Sequence, residues 1–200
     1  YDLLNQMFVA MDANIRLVNT PFLQYDSDIY DLVLKDHSIQ SKIESAFAND
    51  EFYVVYQPQN DALSNNVVGV EALVRWYNPD IGNISPDRFI PIMIRNGTIM
   101  RLGLLVLGKI IDDFQNVEFE LGADSRIAFN LSSEEFMDKR VISELLYMIG
   151  QSQFDFSKFC IEITETTVLD NIQAANDMIL YLNSMVLSLQ LMISEPDFHP

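Results

Sequence analysis

The run Val68-Gly69-Val70-Glu71-Ala72-Leu73-Val74-Arg75-Trp76 sets one carboxylate, Glu71, in the middle of an apolar, β-prone segment. A carboxylate is costly to bury there unless something pairs with it. Arg75 stands an even number of residues beyond Glu71, so in a strand both side chains leave the same face. Two readings follow. In the first, Glu71 and Arg75 form a structural ion pair. In the second, Glu71 is a metal ligand beside an arginine that grips a phosphate.

From Phe52 onward, strand-like and helix-like segments alternate. Phe52–Gln57, Val67–Trp76, Arg126–Asn130 and Phe159–Thr164 read as strands. Pro86–Asn96, Leu102–Phe114, Ser133–Met148 and Ile172–Met185 read as helices. Such alternation implies an α/β fold with a parallel sheet and crossover helices. Around the opening run stand Tyr56-Gln57-Pro58, then Asn78-Pro79-Asp80-Ile81-Gly82-Asn83-Ile84-Ser85-Pro86-Asp87-Arg88-Phe89-Ile90-Pro91, Gly97-Thr98-Ile99 and Leu102-Gly103. Asn130-Leu131-Ser132 and Glu162-Ile163-Thr164-Glu165 follow.

This ordered set, from about Glu51 to Met185, resembles the EAL-domain phosphodiesterases, which hydrolyse cyclic di-GMP. The resemblance implies a TIM-type (βα)8 barrel with one antiparallel strand. In such barrels functional side chains project from the C-terminal ends of strands. Asn130 ends its strand, Glu162 sits within one and Glu71 lies late in its own. Taken singly, Asn130 could be a strand-end cap and Glu162 a solvated strand end. Taken together, two carboxylates and an amide oxygen suit Mg²⁺ or Mn²⁺. The resemblance implies that Glu71, Asn130 and Glu162 hold metal and that Glu71, Glu162 and Glu165 belong to the catalytic motifs. It further implies that Gln57, Leu73 and Arg75 meet the substrate, Gln57 at guanine and Arg75 as a fork on phosphate. The family's product is linear pGpG.

Composition narrows the setting. The 200 residues are 49% hydrophobic and carry a formal net charge of −17. That charge argues against DNA or RNA polymers and anionic membranes as partners, but not against one small anion met by metal and arginine. The single cysteine, Cys160, gives no disulfide framework, fits a reducing cytoplasm and reads as a packed thiol. There is no membrane-spanning apolar stretch. The first residue is Tyr1, so the chain reads as part of something longer, cytoplasmic or the cytoplasmic part of a membrane-anchored protein.

Four segments are expected. Residues 1–26, with Leu3, Leu4, Met7, Phe8, Met11 and Ile15 at helical spacing and an extended Pro21–Tyr25, resemble the end of a GGDEF-type (diguanylate cyclase) domain. Asp12, Asn14 and Ile15 depart from that family's tyrosine, alanine and lysine, and none of its catalytic motifs is present. Residues 27–49 read as an amphipathic linker helix, coupling what precedes it to residues 50–185, the first half of an EAL domain. Residues 186–200 form a tail without the family's Asp-Asp-Phe-Gly-Thr-Gly loop or its later lysine and glutamate. A family segment Met-Gly-Val-Val-Leu-Ala-Ile-Asp-Asp-Phe-Gly-Thr-Gly-Phe-Ser-Ser, with one G deleted after the first codon and suitable synonymous codons, yields Met185 to Pro200. The tail is therefore read as out of frame, with a divergent natural terminus as the alternative. The barrel is expected to be incomplete and the chain inactive alone. The rival reading is a degenerate EAL-like module that works by protein or nucleotide binding. The implied macromolecular partners are a second EAL domain or an upstream sensor or GGDEF-type domain. The sequence also departs from the family at Ile94 and Arg95, where an acidic pair is usual, and at Asn78, where histidine is common.

Overall fold

The computed structural model describes residues 27–116, 125–152, 156–185 and 190–194. The helix expected over residues 3–18 and the extended segment 21–25 lie outside the described residues. Helix α1 (Ser27–Ala48) matches the helix expected over residues 27–49 and buries Ile39, Ile43 and Ala46. Strands β1 (Phe52–Asn60) and β2 (Val67–Asn78) pair antiparallel, with Phe52 opposite Trp76 and Gln57 opposite Glu71. A short strand, β3 (Gly82–Ile84), folds back on the end of β2. Asn78, at the histidine position, makes this turn. Its side-chain oxygen accepts from the Asp80 and Ile81 amides at 3.1 and 3.2 Å, and its Nδ2 donates to Glu51 at 2.8 Å.

Helices α2 (Pro86–Asn96) and α3 (Ile99–Asn116) then lead to β4 (Arg126–Asn130). The single helix expected over 133–148 is two, α4 (Ser133–Met137) and α5 (Lys139–Gln151). Asp138 divides them because its carboxylate accepts from the Arg140 amide and starts a new helix. Strand β5 (Phe159–Thr164), helix α6 (Glu165–Asp170), helix α7 (Ile172–Met185) and strand β6 (Gln190–Ser194) complete the order. No strand was expected in the tail. The run Leu191-Met192-Ile193 is β-compatible, and β6 continues the parallel sheet with Glu162 opposite Met192.

The sheet order is β1-β2-β4-β5-β6, with β1 antiparallel and β2, β4, β5 and β6 mutually parallel. This is the expected barrel succession. Among the described residues no pairing joins β6 to β1, so these strands form an open sheet. Alternation along each strand sorts the side chains. Phe52, Ala72, Trp76, Ile127, Phe129, Phe159, Ile161 and Ile163 lie in the helix-packed core. Leu107, Ile110, Ile142, Leu145 and Ala175 meet them from α3, α5 and α7. The other sheet face receives Glu71, Asn130 and Glu162.

The Asn130-Leu131-Ser132 motif continues into a capping box. The Glu135 amide donates to Ser132 Oγ at 3.2 Å, and the Ser132 amide donates to Glu135 Oε2 at 2.9 Å. Glu135 is buried, and its Oε1 has no hydrogen-bond partner. That oxygen occupies the place a Cβ on Gly103 would need, which explains the glycine in α3. Burial pushes the Glu135 carboxyl up from 4.5 to about 7, outweighing the two Ser132 hydrogen bonds that lower it. In this acid the folded state holds the proton more tightly than the unfolded chain. The stabilisation is thus present below about 4.5 and lost as pH rises through about 7. Between those limits, about 2.5 pH units apart, stability should fall by roughly 3–4 kcal/mol on a scale of ~1.4 kcal/mol per pH unit. Glu135→Gln, which keeps the capping box and cannot ionise, should flatten that slope. Denaturant midpoints of both proteins from pH 4.5 to 8 check this; parallel curves would remove Glu135 as the cause.

Candidate functional site

Glu71 is in the fifth position of the long β2, but late in the part of β2 that pairs with β4 (Gly69 to Ala72). Ala72 is level with Phe129, which sets Leu73 level with Asn130; Asn130 is in turn opposite Glu162. Glu71, Asn130 and Glu162 therefore converge on one sheet face of three neighbouring parallel strands, Asn130 and Glu162 toward the C-terminal ends of β4 and β5 and Glu71 midway along β2. Asn130 Nδ2 donates to Glu71 Oε1 at 2.8 Å. A carboxylate only accepts, so the amide nitrogen faces Glu71 and Asn130 Oδ1 remains as a second oxygen donor. Arg75 is not the partner of Glu71: its Nη1 donates to the Val74 carbonyl at 2.8 Å. The structural ion-pair reading is not what the fold adopts.

Glu162 is only 5% exposed, which disposes of the solvated-strand-end reading. Gln59 Nε2 lies 3.4 Å from its Oε1, and the Leu131 amide donates to its backbone carbonyl at 2.9 Å. Cys160 sits two residues before Glu162 and is buried. Burial, then the Glu162 carboxylate, push its thiol up to about 11, so it behaves as a packed thiol and not a nucleophile. Glu165 opens α6 and is exposed. Gln57 is exposed opposite Glu71, while Leu73 and Arg75 continue the Glu71 face toward the strand end.

A hydroxyl cluster braces the ends of β4 and β5. Ser133 Oγ meets Thr167 Oγ1 at 2.7 Å, and Thr164 Oγ1 meets those of Thr166 and Thr167 at 2.8 and 3.0 Å. Sequence reading missed this cluster and Gln59. Gln59 shares the parity of Gln57, and that was the only signal for it. Among the described residues no three His, Cys, Asp or Glu side chains gather as a metal cluster. The set here is two carboxylates and an amide oxygen, which fits a hard divalent cation.

The EAL domain family profile matches residues 40–190, and the chain belongs to that family. An uncharacterized protein of Synechocystis is 28% identical over 182 residues, 91% of this chain and 26% of that protein. The cyclic di-GMP phosphodiesterase PdeR of Escherichia coli is 27% identical over 141 residues, 70% of this chain and 21% of its own length. A solved structure described as the PaMucR phosphodiesterase in complex with c-di-GMP superposes with a TM-score of 0.68 at 26% identity, covering 80% of this chain and 64% of that one. The chain thus spans about a quarter or less of these curated relatives. The architecture is that of the EAL-type TIM barrel. Among the described residues no helix is long and apolar enough to cross a membrane.

Gly69 sets the spacing of the site. A Cβ there would lie 2.7 Å from the Arg126 carbonyl oxygen, in the backbone of β4. Gly69→Ala must push β2 from β4 and should cost about 1–3 kcal/mol, the usual range for overpacking. Urea unfolding measures it; a midpoint equal to the parent's would mean that the strands are not held this close.

Proposed function

We propose that this chain carries the first half of a metal-dependent cyclic di-GMP phosphodiesterase site. The observation that supports it is the convergence of Glu71, Asn130 and Glu162 on one face of three parallel strands, with Asn130 hydrogen-bonded to Glu71. Similarity to PdeR and to the c-di-GMP-bound PaMucR structure supports the substrate class. Glu71, Glu162 and Asn130 Oδ1 would hold Mg²⁺ or Mn²⁺. Such ions neutralise phosphate charge and favour attack by water on a phosphodiester.

The chain's own groups have distinct tasks. Asn130 holds the Glu71 carboxylate in place through its amide nitrogen. Burial of Glu162 keeps its carboxylate oriented within the strand. Arg75, beyond the carboxylates along β2, would bind a phosphate oxygen through its guanidinium. Gln57 and Leu73 would line the guanine and the cleft. Glu165 belongs to the same motif without an assigned step. The 200 residues contain no Asp-Asp-Phe-Gly-Thr-Gly, so we expect the chain alone to bind metal without turnover to pGpG.

Mn²⁺ binding followed by electron paramagnetic resonance, with product chromatography on cyclic di-GMP, tests this. Glu71→Ala and Glu162→Ala should each weaken Mn²⁺ binding tenfold or more, whereas Arg75→Ala should leave it intact and weaken nucleotide binding. Unchanged Mn²⁺ affinity in both carboxylate variants would refute the ligand assignment. Formation of pGpG, abolished by Glu71→Ala, would show that the chain is catalytically sufficient.

A further inference from the structure

Gln59 stands on β1, and Glu162 on β5, with β2 and β4 between them. Strands are spaced about 4.8 Å apart, so the two backbones are three spacings from each other along the sheet. Their side chains nevertheless approach to 3.4 Å. That contact requires the sheet to curl, and it also requires a gap over β2. Gly69 supplies the gap. It lies opposite Gln59 in the β1–β2 register, and a Cβ there would come within 3.4 Å of Gln59 Oε1. The amide therefore passes over a position that bears no side chain and presents Nε2 to Glu162 Oε1. Because a carboxylate accepts and does not donate, the amide nitrogen is the end that faces it.

Gln59 is thus poised to fix which way the Glu162 carboxylate turns. Glu162 sits on the middle of the site face, and a ligand that must be buried and ionised benefits from a neutral donor that does not compete for metal. Partners of this kind orient a ligand, and their loss costs 10–100-fold in metal affinity. Resting on the metal-site reading above, we infer that Gln59 is a positioning residue for the Glu162 ligand, reaching it across the gap left by Gly69.

Three measurements on the 200-residue chain test this. In the metal-free protein a nuclear Overhauser contact between the Gln59 side-chain amide protons and the Glu162 γ-protons is expected; its absence overturns the inference whatever happens with metal. Gln59→Leu removes the donor and Gln59→Asn shortens its reach by one methylene. Both should weaken Mn²⁺ binding about tenfold while melting within a few degrees of the parent. Mn²⁺ affinity unchanged in both variants overturns the role of Gln59 alone and leaves the metal site standing. Failure of the unsubstituted chain to bind Mn²⁺, with the Gln59–Glu162 contact present, overturns the metal reading and the positioning role with it. A loss of melting temperature that accounts for the lost affinity marks Gln59 as a structural residue and likewise overturns the inference.

Discussion

The close parallel approach of β2 to β4 at Gly69 is the constraint on which the rest of the structure depends. Where a Cβ would stand, the Arg126 carbonyl oxygen is 2.7 Å away. With that register fixed, Glu71 pairs with Ala128 and the next places up the strands belong to Leu73, Asn130 and Glu162. A slip of one residue would turn Glu71 into the helix-packed core and Ala72 into the site. The apolar residues between the site residues resist that slip: Val70, Ala72, Ile127, Phe129, Ile161 and Ile163 are all buried against helices. Site geometry and core packing are therefore two faces of one alternation.

Polar groups on the inner face are handled by local partners. Glu162 is nearly inaccessible, and its burial would be expensive without hydrogen-bonding company. Glu71 is steadied by the neutral amide of Asn130. An arginine on Glu71 would have neutralised the site from within, and Arg75 instead bonds the neighbouring Val74 carbonyl. The hydroxyls of Ser133 at the start of α4, Thr164 at the end of β5 and Thr167 in α6 are linked, so the strand ends carrying Asn130 and Glu162 are braced together.

Helix α1 is attached by two kinds of interaction with unequal weight. Ile39 and Ile43 are almost fully buried, worth about 1.5–3 kcal/mol each. The ion pairs Lys42–Asp80 and Glu44–Arg101 lie at the surface, and Asp36 meets Arg88 and Arg95 in a half-buried position; water screens such pairs, so each contributes less than the buried side chains. Burial holds the helix, and the ion pairs select its position. Arg95, one of the two departures from the family's acidic pair, faces Asp36 at 3.9 Å, so the changed charge is matched on α1. The aromatic group Phe47, Phe52, Trp76 and Phe89 continues this contact into the sheet, with ring centroids 5.0–5.9 Å apart.

The order of strands and helices, the parallel sheet and the common sheet face of Glu71, Asn130 and Glu162 were legible in the sequence because each rests on a local pattern: period-two alternation, helical spacing and short motifs within strands. The boundaries of α2, β4, β5 and α7 followed for the same reason. What only the tertiary structure decided were pairings between residues distant along the chain. Glu71 takes Asn130 and not Arg75, 59 residues separating donor from acceptor. Gln59 reaches Glu162 across 103 residues, through a curvature that no single strand encodes. Glu135 caps α4 through Ser132, three residues away, but its unpaired oxygen depends on how closely α4 approaches Gly103. The strand β6 arose where β5 offered unpaired backbone groups to a β-compatible segment, since main-chain hydrogen bonding asks little of side-chain identity.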